Sequence, residues 1–231
     1  MMDRVKAAPL GRREVGVLAL AYVILTPIYL AIGWMIVRWW DGSSLGRSEA
    51  GVNRWFEDAR TDRRNQLAEF GSALSNTETK IALVVALLPL MLWMYRRWHD
   101  WALVTVGLLF EVSVFAATAK IIGRDRPPVE QLDGAPTNSW PSGHIAAAVV
   151  FYGALAIVIM WNNKSRTSRI GALAIAIVAP SIVIASRLYQ GMHYVSDAVG
   201  GVLLGVLTLL LVRHLIMRSD SFEEIPVRSE R

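Results

Sequence analysis

Long apolar stretches separated by short charged segments follow one another along this 231-residue chain. Most of them approach the roughly 20 residues that an α-helix needs to cross the hydrocarbon core of a membrane. The pattern therefore predicts an all-α integral membrane bundle of six transmembrane helices. The predicted spans are residues 15–37, 81–95, 101–122, 145–161, 170–185 and 194–217.

A polar segment, residues 41–80, separates the first two predicted spans. Val52, Trp55 and Phe56 are among the apolar residues that recur there at roughly helical spacing. This spacing predicts an extracytoplasmic insertion of one or two amphipathic helices that lie on the membrane surface. We expect residues 1–218 to form one six-span domain, followed by a disordered polar tail at residues 219–231.

The composition supports a membrane location and argues against several other classes of protein. Hydrophobic residues make up 54% of the chain, and the mean hydropathy is +0.38. The net charge of +5 is modest, and much of the Lys and Arg lies at segment ends, so nucleic acid is a poor explanation for the charge. The chain has no Cys, which excludes disulfides and thiolate metal sites.

Two short loops, residues 96–100 and 162–169, indicate the orientation in the membrane. Both are basic, and basic loops favour the cytoplasmic side. Both termini are therefore predicted to lie inside the cell, in a multi-pass protein of the plasma membrane. With six spans, the chemically distinctive clusters described next then face the extracytoplasmic side.

Three clusters of basic, imidazole and hydroxyl side chains lie at the ends of predicted spans three to six, all on one side of the membrane. They are the run from Lys120 to Pro127, the Pro-Ser-Gly-His run at residues 141–144, and Ser186, Arg187, His193 and Asp197. Charged groups at such positions are costly unless a function requires them. Because spans four and six both begin here, their N-terminal N–H groups add positive potential. The clusters together predict one site for a multiply charged anion.

These clusters resemble the motifs of the type 2 phosphatidic acid phosphatase superfamily, whose pattern reads Lys-x6-Arg-Pro, Pro-Ser-Gly-His and Ser-Arg-x5-His-x3-Asp. The second and third motifs are matched in full, and the resemblance runs from about residue 101 to the end of the sixth span. In the first motif, Lys120 precedes Arg126 by six positions, where the family usually has seven. On a continuous helix this turns the Lys by about 100°. Arg124 is the alternative cation for this position.

The resemblance implies a role for each motif residue. His193 would be the nucleophile that forms a phosphohistidine, and His144 would protonate the leaving oxygen and then activate water. Asp197 would accept the second ring N–H of His193, and a spacing of four residues allows both to lie on one face of a helix. The groups expected to hold the phosphate oxygens are Lys120, Arg126, Ser142, Gly143 and Arg187.

No cofactor is expected for this chemistry. The region contains no acidic cluster typical of a magnesium site, so we expect phosphoryl transfer without a metal ion. Glu111 lies in the middle of the third predicted span, too deep for phosphate chemistry, and is interpreted as a buried structural residue.

These features predict a membrane lipid phosphatase that acts on a lipid mono- or diphosphate, with undecaprenyl diphosphate and phosphatidylglycerol phosphate as the leading substrates by resemblance. Its expected partners are this substrate and membrane lipids, and the oligomeric state stays open. A lipid phosphotransferase would share the phosphohistidine half-reaction. A haloperoxidase would share the anion site, but its known members are soluble. A non-catalytic anion channel or scaffold would need the arginines but not the His193–Asp197 pair.

Overall fold

The computed structural model describes residues 10–76, 79, 81–86, 89–90, 98–134 and 138–219, and all regular secondary structure within them is helical. A π-helical turn, Ile36–Trp40, extends the first helix. The α-helices are α1 (Arg12–Met35), α2 (Ser44–Asp58), α3 (Asp62–Ala73), α4 (Trp98–Ile122), α5 (Gly143–Asn162), α6 (Arg166–Tyr189) and α7 (Val195–Arg218).

Five of these helices are long and apolar enough to cross a membrane, namely α1 with its π-helical turn, α4, α5, α6 and α7. The prediction of an all-α, multi-pass membrane protein is confirmed. The predicted second span, residues 81–95, lies largely outside the described residues, although residues 81–86 are helical. The count of six spans therefore stays a prediction, as does the polar tail, of which only Ser219 is described.

Helix α5 forms the centre of the bundle and packs against α4, α6 and α7. Its inward face includes the buried residues Ala146 and Ala154, and small side chains of this kind let helices approach closely. Helix α7 contributes Gly201 to the same contact. A Cβ there would lie 2.6 Å from the carbonyl oxygen of Ser142. The first turns of α5 and α7 are thereby held side by side.

Trp140, in the loop that precedes α5, contacts α1 and links this helix to the bundle. Its indole N–H donates to the carbonyl oxygen of Tyr29 at 3.2 Å, and the centroids of the two rings lie 6.1 Å apart. A Cβ at Gly33 of α1 or at Gly200 of α7 would come within 2.6 Å of the indole. The two helices thus leave a slot for this side chain, and the slot fixes the start of the Pro-Ser-Gly-His segment.

Helices α2 and α3 form within the insertion, where the sequence predicted helices. Each begins at a hydroxyl cap, since Ser43 accepts from backbone N–H groups of the first turn of α2 and Thr61 does the same for α3. Apolar residues such as Trp55 and Phe70 are exposed on their outer faces, at 65% and 69%. A position of these two helices on the membrane surface stays a prediction.

The inner faces of α2 and α3 contact the segments that carry the third motif. Asn53 of α2 donates to the carbonyl oxygen of His193 at 3.0 Å. Gly71 of α3 lies directly against the Ser186 side chain, so closely that a Cβ would clash with the hydroxyl. The insertion therefore forms part of the framework around the predicted site.

Two glycine turns end helices beside the predicted site. Gly123, with φ +64°, follows α4 directly ahead of Arg124, and Gly191, with φ +72°, follows α6 two residues ahead of His193. Residues with a side chain rarely adopt these angles. A Cβ at Gly191 would also lie 2.9 Å from the carbonyl oxygen of Glu130. Both turns change the direction of the chain where a membrane helix ends and the motif residues after it begin.

Candidate active site

Arg187, in the last turn of α6, is fully buried and only partly occupied by protein groups. Its Nη1 donates to Asp133 Oδ2 at 2.6 Å, to Ser72 Oγ at 2.8 Å and to Gln190 Oε1 at 3.3 Å. Within the part of the chain that the structure describes, Nε and Nη2 have no hydrogen-bond partner. One side of the guanidinium is therefore fixed, and the other can donate to an anion, as two parallel N–H bonds to phosphate would require.

The neighbours of Arg187 also line a polar cavity of about 310 Å³ between α3 and the loop after α4. Asp133, Ser72 and Gln190 all contribute to its wall. The hydrogen bond from Arg187 lowers the pKa of Asp133 below its ordinary value, although burial opposes this. Asp133 is thus held as a carboxylate that orients the guanidinium.

Arg126 lies near Arg187 and adds a second positive charge to the site. Its Nη1 donates to the carbonyl oxygen of Met192 at 2.5 Å. Burial, and after it the charge of Arg187, lowers the pKa of Arg126 from its ordinary value. Two partly desolvated cations that repel each other favour an anion between them. That these two motif arginines bind one anion stays a prediction.

His193 is buried with a defined arrangement of its ring nitrogens. Its Nδ1 lies 2.9 Å from the carbonyl oxygen of Ser139, and a carbonyl can only accept, so Nδ1 carries the proton. Burial, followed by the charges of Arg187 and Arg126, moves the pKa of His193 well below its ordinary value. The imidazole is therefore neutral at physiological pH, with its lone pair on Nε2.

Asp197 does not make the hydrogen bond to His193 that the sequence predicted. Its Oδ2 lies 3.9 Å from His193 Nδ1 and instead accepts from the backbone N–H of Tyr194 at 2.8 Å. Helix α7 begins at Val195, so His193 precedes the helix and the helical spacing of four residues does not apply to the pair. The carbonyl of Ser139 takes the place expected for the carboxylate.

The Pro-Ser-Gly-His segment brings its predicted groups to the start of α5. The Ser142 hydroxyl is buried, without a hydrogen-bond partner among the described residues. Ser142 N–H donates to the carbonyl oxygen of Asp197 at 3.2 Å, which ties α5 to α7. Gly143 is the first helical residue and lies against the Phe115 ring, where a Cβ would come within 2.8 Å. His144 is half-buried and close enough for its charge to lower the pKa of His193.

The two candidates for the first-motif cation differ in their surroundings. Lys120 is exposed in the last turn of α4. Arg124 is 1% exposed and binds three carboxylates, those of Asp41, Glu49 and Asp197. An arginine so occupied has no donor left for phosphate. The alternative in which Arg124 replaces Lys120 in the anion site therefore finds no support in the geometry.

Several site residues carry no signal that sequence reasoning could have used. Asp41, Glu49 and Asp133 are ordinary acidic residues of polar segments, and Ser139 contributes only its backbone. Their partners lie 54 to 147 positions away along the chain. Glu111 is buried in α4, as predicted, at 2% exposure; its structural role stays a prediction. No group of three or more His, Asp or Glu side chains with the geometry of a metal site occurs among the described residues.

A family model described as the PAP2 superfamily matches residues 101–220 of the chain, which is slightly more than half of it. The match begins in α4 and ends just after α7, so it contains all three motifs.

Three relatives are similar in sequence. The Escherichia coli protein named "Putative undecaprenyl-diphosphatase" is 32% identical over 135 residues, which cover 55% of this chain and 64% of that protein. Phosphatidylglycerophosphatase B of Bacillus subtilis is 28% identical over 135 residues, covering 55% and 66%. Human sphingosine-1-phosphate phosphatase 2 is 34% identical over 87 residues, covering 37% and 21%. The matched region spans just under two thirds of each bacterial relative.

A solved structure is similar over most of the chain. It is the crystal structure of a transmembrane PAP2 type phosphatidylglycerolphosphate phosphatase from Bacillus subtilis, with a TM-score of 0.70 at 21% identity. The superposition covers 87% of this chain and 100% of the other. At this identity the likeness establishes the shared fold.

Proposed function

The chain belongs to the PAP2 superfamily, and we propose that it is a membrane lipid phosphatase. It hydrolyses the terminal phosphate of a lipid mono- or diphosphate through a phosphohistidine on His193. The observation that carries this proposal is the state of His193. Its Nδ1–H is engaged by Ser139, its lone pair is on Nε2, and two buried or half-buried arginines lie beside it.

The reaction has two steps that balance without a cofactor. Nε2 of His193 attacks phosphorus, the bond to the leaving oxygen breaks, and His144 donates the proton that this oxygen takes up. A water molecule then gives a proton to His144 as it attacks the phosphohistidine, and the P–N bond breaks. Inorganic phosphate leaves, and His193 returns to its neutral state.

The cationic groups stabilise the charge that develops on the nonbridging oxygens. Arg187 offers Nε and Nη2, while Arg126 adds a second guanidinium. The unpartnered hydroxyl of Ser142 and the N–H of Gly143 donate from the N-terminus of α5, where the helix dipole also favours an anion. Lys120 completes the set from the solvent side in this proposal.

A lipid substrate fits the position of the site at the end of membrane helices. A groove of about 610 Å³ opens beside the first turn of α7 and is lined mainly by apolar side chains, among them Trp39, Trp40 and Leu203. It suits the hydrocarbon tail of a lipid. Undecaprenyl diphosphate and phosphatidylglycerol phosphate are the favoured substrates, because the two bacterial relatives carry the corresponding names. A lipid phosphotransferase would use the same first step and pass the phosphoryl group to a lipid acceptor.

Phosphate release from a panel of purified lipid phosphates in detergent tests this function. We expect the native protein to release inorganic phosphate from at least one mono- or diphosphate lipid, and His193→Ala to release none. Activity should persist in a chelator, since arginines provide the positive charge. Loss of activity in chelator with recovery on adding magnesium would contradict the metal-independent mechanism. Phosphate release only when an acceptor lipid is supplied would favour the phosphotransferase.

The proposed location of the site is the extracytoplasmic face of the plasma membrane. The chain has no native cysteine, so single cysteines can be introduced at Asn138, beside the site, and at Asn163, in the basic loop after α5. An impermeant thiol reagent applied to intact cells should label position 138 and not 163. The reverse pattern would place the site on the cytoplasmic face.

A further inference from the structure

We propose that Arg124 and Glu49 are positioning residues that hold Asp197 and the first turn of α7 behind the nucleophile His193. The proposal rests on the phosphatase function argued above. It assigns to the insertion helix α2 a direct part in organising the active site. It also gives Arg124 a role other than phosphate binding.

Every N–H group of the Arg124 guanidinium donates a hydrogen bond to another protein group. Its five N–H groups match five hydrogen bonds, to Asp41 twice, to Glu49, to Ser196 and to Asp197. The shortest joins Nη1 to Asp197 Oδ1 at 2.5 Å. These partners come from the turn after α1, from α2 and from α7, so one side chain joins three separate elements at the site.

Glu49 holds the start of α7 from outside that helix. Its Oε1 accepts from the backbone N–H of Ser196 at 2.6 Å, and its Oε2 accepts from the Ser196 hydroxyl at 2.9 Å and the Trp40 indole at 3.1 Å. A carboxylate at a helix N-terminus satisfies open N–H groups and interacts favourably with the helix dipole. The first turn of α7 directly follows His193, so this contact limits how far the nucleophile can move.

A second residue of α2 is hydrogen-bonded to the backbone of the nucleophile itself. Asn53 lies four residues after Glu49, on the same face of the helix, and donates to the carbonyl oxygen of His193 at 3.0 Å. Helix α2 therefore contacts the backbone at His193 and again at Ser196. A displacement of α2 would move both contacts together.

The negative charge around Arg124 stabilises a cationic phosphohistidine more than it stabilises the neutral His193 of the resting protein. Asp41, Glu49 and Asp197 surround a single guanidinium, so this group of four side chains carries a net negative charge, and Asp197 is its member beside the neutral imidazole. Phosphorylation of Nε2 with a proton on Nδ1 makes the ring cationic, and Asp197 Oδ2 lies 3.9 Å from that Nδ1. The carboxylate can thus stabilise the charged ring without a direct hydrogen bond.

The test compares Arg124→Lys and Glu49→Gln with Asp58→Asn, a charge-neutralising control at an exposed position of α2. Rapid-quench measurement gives the rate of phosphoenzyme formation, and competition with inorganic phosphate gives its inhibition constant. We expect both positioning variants to lower the rate by about 10–10²-fold, as small misplacements of reacting groups do. The inhibition constant of phosphate should stay unchanged, because Arg126 and Arg187 remain in place. The control should match the native protein.

The double variant Arg124→Lys/Glu49→Gln adds a test of coupling. If the two residues act through one network, it should be little slower than the slower single variant. A raised inhibition constant with an unchanged rate would make Arg124 a phosphate ligand and overturn the proposal. Rates equal to native for both single variants would overturn it as well.

Amide hydrogen exchange provides a readout that does not depend on activity. Glu49→Gln should increase exchange at residues 192–197 relative to Asp58→Asn, since the anchor at Ser196 N–H is weakened. Unchanged exchange in this segment would contradict the proposal even if the variant were less active. If the native protein released no phosphate from any lipid, the proposed function would fail, while the exchange result would still decide whether Glu49 holds this segment.

Discussion

Arg187 and Arg124 are both buried near the predicted site but have opposite surroundings. Arg187 uses one nitrogen to bind protein groups, and its Nε and Nη2 have no partner among the described residues. Arg124 directs all five N–H groups at protein acceptors. Their exposures, 0% and 1%, do not distinguish them. The number of open donors does: Arg187 has two nitrogens available for the anion proposed above, whereas every N–H group of Arg124 is already bonded to the protein.

The largest effect should follow from a change on the anion-binding side. Arg187→Gln removes the fixed charge that we propose stabilises the transferring phosphoryl group, for which an arginine is worth about 10³–10⁵-fold in related chemistry. We expect kcat/KM to fall by at least about 10³-fold, with a weaker inhibition by inorganic phosphate. Steady-state kinetics with a lipid phosphate measure both. A smaller loss than for Arg124→Lys would reverse the comparison between the two arginines.

His144→Ala removes the proposed general acid. A positioned general acid contributes about 10²–10⁴-fold, so turnover of a lipid phosphate should fall by that amount. An activated aryl phosphate needs no proton on its leaving group, and the first step with this substrate should recover part of the loss. Phosphoenzyme formation with the two substrates gives the ratio. An equal loss with both would argue against His144 as the acid.

The smallest effect is expected for Asp133→Asn, which releases the fixed side of Arg187. Arg187 lowers the pKa of the Asp133 carboxyl below its ordinary value of 3.8. Such a group adds stability that is fully present above its unfolded pKa and is lost as the pH falls through its lower folded pKa. Because the side chain is 39% exposed, solvent screens the pair and the gain is small.

Thermal unfolding in detergent between pH 3 and 7 tests this expectation. The variant should melt slightly below the native protein at pH 7, and the difference should shrink as the pH falls below about 3.8. A difference that stays constant across this range would show that the ion pair with Arg187 is not its origin. Asp58→Asn, at an exposed position, serves as the control.

The motif residues could be predicted from sequence because their spacing is local and their types are costly beside a membrane. Arg126 and Arg187 lie near each other, and the all-α, multi-pass class follows from hydropathy alone. The residues that hold them could not be predicted. Glu49 lies 147 positions from Ser196 in the sequence, and only the tertiary fold, in which α2 packs against α6, brings the two residues into contact.

The relation between Asp197 and His193 shows why spacing alone misleads at a helix boundary. Four residues place two side chains on one face only if both lie within the helix. Here α7 begins at Val195, so His193 belongs to the preceding loop. Its Nδ1–H donates instead to the backbone carbonyl of Ser139, and no pattern of side chains in the sequence could reveal this contact.

In the proposed mechanism Nε2 of His193 is the nucleophile, and the position of the phosphoryl group on the protein distinguishes His193 from His144 in this role. The native protein is mixed with a lipid phosphate, quenched at alkaline pH to preserve phosphohistidine, digested and analysed by mass spectrometry. We expect phosphate on His193 and none in the His193→Ala protein. Phosphate on His144, or a phosphoenzyme that persists in His193→Ala, would rule out His193 as the nucleophile.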